Sequence, residues 1–280
     1  MDQHQQPSIQ HTGLSRREFL GGALAVSALQ QIATTPLLAA EATWASELRF
    51  GQYFCHADFP LKEISPLLQE LKVLKRDVLG RLRVDKSEET IHMIFFRKNS
   101  TYRAYIKRYF PKVPYRRALY IRERGVGMLF AYRNRDLLTD VRHEATHAIL
   151  HASLPMVPLW LDEGLAEYFE VERSQRSFGS PHLNSIQWSL YFGGAPSLQK
   201  LESIASLRKM GKTQYRDSWA WVHWMMHGPP QAYDELLKYL SDIERQTPPG
   251  KLHDRLKRRV KNINSSFAKH FRRWQKTKRA

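Results

Sequence analysis

His143-Glu144-Ala145-Thr146-His147 places two imidazoles four residues apart, with a carboxylate directly after the first. On a helix the two rings stand one turn apart on one face, about 6 Å along the axis, where both reach a single divalent ion. Zinc suits this donor set, bound by imidazole nitrogen at roughly 2.0–2.1 Å. Glu144 then lies beside the ion, placed to take a proton from the water the ion activates. A catalytic zinc also needs a third protein donor and an open fourth position. His151 continues the ladder, but at eight residues from His143 it is about 12 Å along the axis and some 80° around it, too far to join. It reads as a helix-end residue favoured by the helix dipole. The third donor is expected in Trp160-Leu161-Asp162-Glu163-Gly164-Leu165-Ala166-Glu167-Tyr168-Phe169, where Glu163 and Glu167 stand at i and i+4 on a second helix. Fifteen residues separate His147 from Glu163, enough to turn and come back. One of the two carboxylates can close the metal shell while the other supports a ligand histidine.

Hydrophobic periodicity supplies the elements that must position these groups. Leu48 to Cys55, Ile91 to Phe96, Leu119 to Arg122 and Val126 to Tyr132 read as strands, the last two joined around Glu123-Arg124-Gly125 as a hairpin. Leu61, Ile64, Leu67, Leu68, Leu71, Leu74 and Val78 recur at three and four, predicting an amphipathic helix that ends at Gly80. Tyr102 to Phe110 reads as a short helix. Downstream, helices are expected over 136–151, 160–172, 218–227, 232–243 and 252–274. The fold class is therefore α+β, a small mixed sheet layer followed by a helical layer carrying both site helices. The organisation expected is a leader over 1–42, an α/β sheet layer over 43–135, a helical zinc-site subdomain over 136–230 and C-terminal helices with a basic amphipathic tail over 231–280.

H-E-A-T-H followed by W-L-D-E-G-L-A-E-Y-F resembles the gluzincin branch of the zinc metallopeptidases, especially aminopeptidase-N-like enzymes and the smaller bacterial peptidase-MA-like domains. The resemblance implies a zincin-like fold and one Zn²⁺ per chain, with His143, His147 and Glu163 as its ligands. It also implies Glu144 as general base, Glu167 as the acidic partner of a ligand histidine, and a peptide or protein substrate. Tyr215-Arg216-Asp217-Ser218-Trp219-Ala220-Trp221-Val222-His223-Trp224-Met225 is similar to the aminopeptidase segment whose leading Tyr donates a hydrogen bond to the tetrahedral oxyanion, a role this gives to Tyr215. The likeness covers residues 126 to 226. The spacer to Glu163 is shorter than in the aminopeptidases, and no G-x-M-E-N-type segment is present to grip a substrate amino terminus. Gly125-Val126-Gly127-Met128-Leu129-Phe130 takes that place, so an edge strand for substrate backbone is expected there without aminopeptidase specificity.

The remaining histidines carry weaker signals. His223 and His227 are spaced for a metal but sit among Trp219, Trp221 and Trp224, which suggests packing. His182 is expected in a loop near the cleft.

Composition narrows the alternatives. Of 280 residues, one is cysteine, Cys55, which excludes an internal disulfide framework and a cysteine-based zinc ribbon or iron–sulfur site. No Gly-rich phosphate loop, dinucleotide fingerprint or Ser/Cys nucleophile motif appears. The formal charge of +17 is uneven: the last thirty residues hold twelve Lys/Arg against one Asp, whereas 43–250 carry only +7. At the other end, Ser15-Arg16-Arg17-Glu18-Phe19-Leu20 leads into a weakly apolar run to about Ala40, too interrupted for a stable span. It resembles a bacterial twin-arginine signal peptide, with an A-x-A cleavage site after Ala42, and so implies export of the folded protein to the periplasm or cell envelope. Nucleic acid is not expected as a partner of an exported chain. The C-terminal stripe Leu252, Leu256, Val260, Ile263, Phe267, Phe271 and Trp274 predicts a docked helix whose basic face can meet anionic membrane or envelope polymers. A basic envelope-binding protein with a structural or vestigial zinc site is the alternative to an enzyme.

Overall fold

The computed structural model describes residues 44–274. The expected leader over 1–42 lies outside them. The fold is α+β: one five-stranded mixed sheet in the order β1-β2-β3-β5-β4, and ten α-helices among the described residues. The strands are β1 Ser46–Phe50, β2 Tyr53–Ala57, β3 Ile91–Phe96, β4 Ala118–Glu123 and β5 Val126–Tyr132. β2, β3 and β5 run parallel, with β1 and β4 antiparallel at the two edges. The run expected as one strand from Leu48 to Cys55 is two, because Gly51 takes a left-handed conformation, φ +57°, and folds β1 back on β2. The hairpin around Arg124-Gly125 forms as read, both residues having positive φ. The strand expected to offer a free edge to substrate, 125–130, falls in β5, which is paired on both sides. The open edge belongs to its partner β4.

After a single 3₁₀ turn at Leu61–Ile64, α1 Ser65–Leu82 passes through Gly80 rather than ending there, stopping where Arg83 turns left-handed. α2 Asn99–Tyr109 covers the sheet before β4. The central element is α3 Leu137–Ser153, buried on nearly every side between β4 and β5 below and α1 and α4 above. Pro155 and Pro158 turn the chain into α4 Leu159–Phe169, which packs on α3 and on α7 Lys212–His227. Gly164 permits the α4–α7 approach: a Cβ there would stand 2.6 Å from the Ser218 carbonyl oxygen. The stretch 173–211, whose sequence predicts no element, contains α5 His182–Tyr191 and the short α6 Leu198–Glu202. One hydrophobic core joins Ile91, Met93, Phe95, Leu129 and Ala131 of the sheet to buried residues of every helix but α2.

The C-terminal stripe docks as expected, but as two helices rather than one. α9 Leu252–Arg259 follows α8 Pro230–Glu244, and α10 Ile263–Arg273 begins after Asn262 turns left-handed at φ 52°. The break lets Leu252 and Leu256 face α8 while Phe267 and Phe271 reach α7 and α5, all four fully buried. α10 is also held by histidines. His223 Nδ1 lies 3.1 Å from His270 Nε2, His223 Nε2 donates to the Ser177 carbonyl at 3.0 Å, and His227 Nε2 meets the Tyr168 hydroxyl at 2.8 Å. These rings pack against Tyr168, Trp219 and Trp274.

Burial, aided by neighbouring positive charge, pushes His227 and His270 down to about 4, and holds His223 well below its usual range. Between pH 6.5 and 4 the unfolded chain therefore binds protons that the folded one refuses, so this cluster's stability is present above pH 6.5 and lost as pH falls. We expect the cluster to cost on the order of 2–4 kcal/mol of stability between pH 7 and pH 5. Urea unfolding at both pH values checks this, with the loss shrinking in a His227→Gln/His270→Gln variant.

Candidate metal centre

α3 and α4 cross so that His143, Glu144 and His147 on one face Glu163 on the other. His143 Nε2 and His147 Nε2 are 3.3 Å apart, and Glu163 Oε2 lies 3.6 Å from the first and 3.7 Å from the second. Two donors bound to one zinc at tetrahedral angles stand about 3.3–3.4 Å apart, so these three atoms outline one face of such a shell. Their chemistry agrees. His143 Nδ1 is 2.8 Å from Glu170 Oε2, and His147 Nδ1 is 2.9 Å from Asp162 Oδ1. The first contact is a well-aligned hydrogen bond; the second is close but off the line of the N–H, an ion-pair contact. A proton on each Nδ1 leaves both Nε2 lone pairs facing the carboxylate. Glu163 Oε2 is buried with no hydrogen-bond partner. Three electron-rich atoms turned on one point repel one another unless a cation joins them, and the residues fit a zinc ion.

The carboxylates around the two rings favour positive charge at this point. Burial alone would lower both imidazoles, yet the nearby Glu163 carboxylate and the bond to Glu170 raise His143 well above its usual range, and Asp162 with Glu163 raises His147. Burial opposes ionisation of Asp162 too, but His147 and His151 overcome it and hold this carboxylate far below the ordinary range. Asp162 bridges the two rings, its Oδ2 lying 2.9 Å from His151 Nε2. His151 thus stays off the three-donor set, as the helical geometry required, and braces it from outside.

Glu167, expected to support a ligand histidine, has its Oε2 at 2.7 Å from His182 Nε2, and the carboxylate bonded to His143 Nδ1 is that of Glu170. The reason lies in Arg142, whose buried guanidinium binds Glu70 at 2.6 Å and also takes the Glu170 carbonyl. This ends α4 at Phe169, short of the expected Glu172, and swings Glu170 toward His143. His182 is not in a loop but opens α5. We therefore expect Glu170→Gln and Asp162→Asn each to weaken zinc binding by ~10–100-fold, with Glu167→Gln milder. Competition against a fluorescent chelator measures the order.

Glu144 Oε2 accepts a hydrogen bond from the Tyr120 backbone N–H at 2.7 Å. That N–H is free for it because alternate residues of the edge strand β4 turn their peptide groups away from β5. Tyr215, on the first turn of α7, is half-buried, and burial together with Glu163 raises its hydroxyl above its usual value, keeping it a donor. Beside it is Arg116, which the motifs did not mark. Its guanidinium neighbours the Tyr215 hydroxyl, with Glu163 and Glu144 close enough to raise it against the opposing effect of burial. Arg116 and Glu144 together line two clefts, about 420 Å³ on the His143 side and about 370 Å³ beneath β4 on the His147 side. The two clefts leave the three-donor set approachable from solvent.

No protein-family model matches the chain, and no curated protein matches it either.

Proposed function

We propose that the chain is an exported, single-zinc hydrolase of zincin-like fold that cleaves peptide bonds. The observation carrying this reading is the convergence of His143 Nε2, His147 Nε2 and Glu163 Oε2 within 3.3–3.7 Å, the last buried without a hydrogen-bond partner, next to the carboxylate of Glu144. Zinc at such a site supplies Lewis acidity and a water of lowered pKa. Glu144 takes the proton of the attacking water and passes it to the leaving amine. The Tyr215 hydroxyl, assisted by the Arg116 guanidinium, donates to the oxygen on which charge develops. An extended peptide laid along the outer edge of β4 competes with Glu144 for the Tyr120 N–H, so binding releases the carboxylate for proton transfer. Glu170 and Asp162 hold the two imidazoles in the tautomer that leaves each Nε2 lone pair available.

The test is peptide-library cleavage by the full chain loaded with one equivalent of zinc, read by mass spectrometry. Cleavage should stop with a chelator and return with zinc. Retained zinc with no peptide cut would favour the envelope-binding alternative.

A further inference from the structure

Trp188, Tyr191 and Phe192 are 62%, 77% and 77% exposed, the three most exposed large apolar side chains among the described residues. They form one cluster at the end of α5: Trp188 stacks on Phe192 with centroids 6.0 Å apart, and Tyr191 meets both rings edge-on at 6.1 and 5.2 Å. A hollow of about 480 Å³ lined by Asn184, Gln187, Trp188 and Tyr191 adjoins them. Water-exposed rings packed on one another rather than into the body are a costly arrangement for a surface that stays wet.

The basic C-terminal helix lies directly alongside. Gln187 donates to the carbonyls of Phe271 and Trp274 at 2.9 and 2.7 Å, and Arg272 Nη2 donates to the Leu190 carbonyl at 3.4 Å, one residue before Tyr191. Arg272 and Arg273 are exposed at this junction, and Lys257, Arg258, Arg259, Lys261 and Lys269 are exposed along α9 and α10. Trp and Tyr rings with polar edges beside the wholly apolar Phe192, flanked by cations, match the boundary between headgroups and acyl chains of an anionic bilayer. A second copy of the chain meeting this patch would bring two basic helices together, which their charge opposes. No helix among the described residues is long and apolar enough to cross a membrane.

We propose that Trp188, Tyr191 and Phe192 form a wedge that enters the interface of an anionic lipid bilayer while α10 supplies the electrostatic attraction. This is independent of the peptidase reading. The test is co-sedimentation of the full chain with vesicles of phosphatidylglycerol and phosphatidylcholine against phosphatidylcholine alone. Trp188→Ser/Tyr191→Ser/Phe192→Ser should lower binding to the anionic vesicles by about tenfold or more, and Arg272→Gln/Arg273→Gln should lower it several-fold and flatten its salt dependence. The side chains changed are exposed, so far-ultraviolet circular dichroism should stay unaltered. The difference in tryptophan emission between the wild type and Trp188→Phe should shift to the blue on anionic vesicles only. Vesicle binding unaffected by the triple change, no binding by the wild type, or an aromatic-dependent dimer that ignores vesicles would each overturn the proposal.

Discussion

His147→Ala and Glu163→Ala should each release zinc from the protein, with a loss of affinity well beyond the ~10–100-fold that a supporting residue costs. Each substitution removes one of the three proposed donors and leaves a pair 3.3–3.7 Å apart. His151 does not step in, because its Nε2 is bound to Asp162. The effects differ in kind. Glu163→Ala leaves two imidazoles supported by Glu170 and Asp162, whereas His147→Ala also strips Asp162 of one of the two rings that keep it ionised while buried. His147→Ala should therefore lower the thermal midpoint further than Glu163→Ala. Equilibrium dialysis with metal analysis, beside calorimetry, separates the two. Full zinc retention in both variants would refute the ligand assignment.

Glu144→Gln should keep zinc and fold normally yet lose ~10²–10⁴-fold in peptide turnover. Glutamine fills the same volume, and its carbonyl oxygen can still accept from the Tyr120 N–H that now holds Glu144. What it cannot do is take a proton from water. A drop in kcat with zinc stoichiometry and melting temperature unchanged is the expected pattern. Equal loss of metal and turnover would make Glu144 a ligand rather than a base.

Much of the site was legible because it follows from helical period. A spacing of four from His143 to His147 and a returning helix with Glu163 specify a shared face, and local pattern carries that information. Support from outside the shell was less legible, since it depends on where a helix ends. Glu167 had the right spacing from Glu163, but Arg142 terminates α4 early and sends Glu170 to His143 instead. That is a contact 27 residues apart in the chain, set by tertiary packing. Asp162 stood in plain view beside Glu163, and its pairing with His147 became apparent only with the crossing of α3 and α4. Arg116 precedes β4 with no motif around it. The edge strand was misplaced by one member of a correctly read hairpin, because alternation identifies strands without ordering them in a sheet. The broken C-terminal helix has a similar cause: the apolar stripe runs on across Asn262, and only a left-handed residue there lets the two halves reach different neighbours.

Zinc K-edge X-ray absorption of the full chain, loaded with one equivalent of zinc, decides whether His143, His147 and Glu163 hold one ion. We expect a single zinc with two imidazole nitrogens and carboxylate or water oxygen at roughly 2.0–2.1 Å, no sulfur near 2.3 Å, and an imidazole signal halved or lost in His143→Ala. A sulfur neighbour, a second zinc held with equal strength, or a spectrum indifferent to His143, His147 and Glu163 would contradict that assignment.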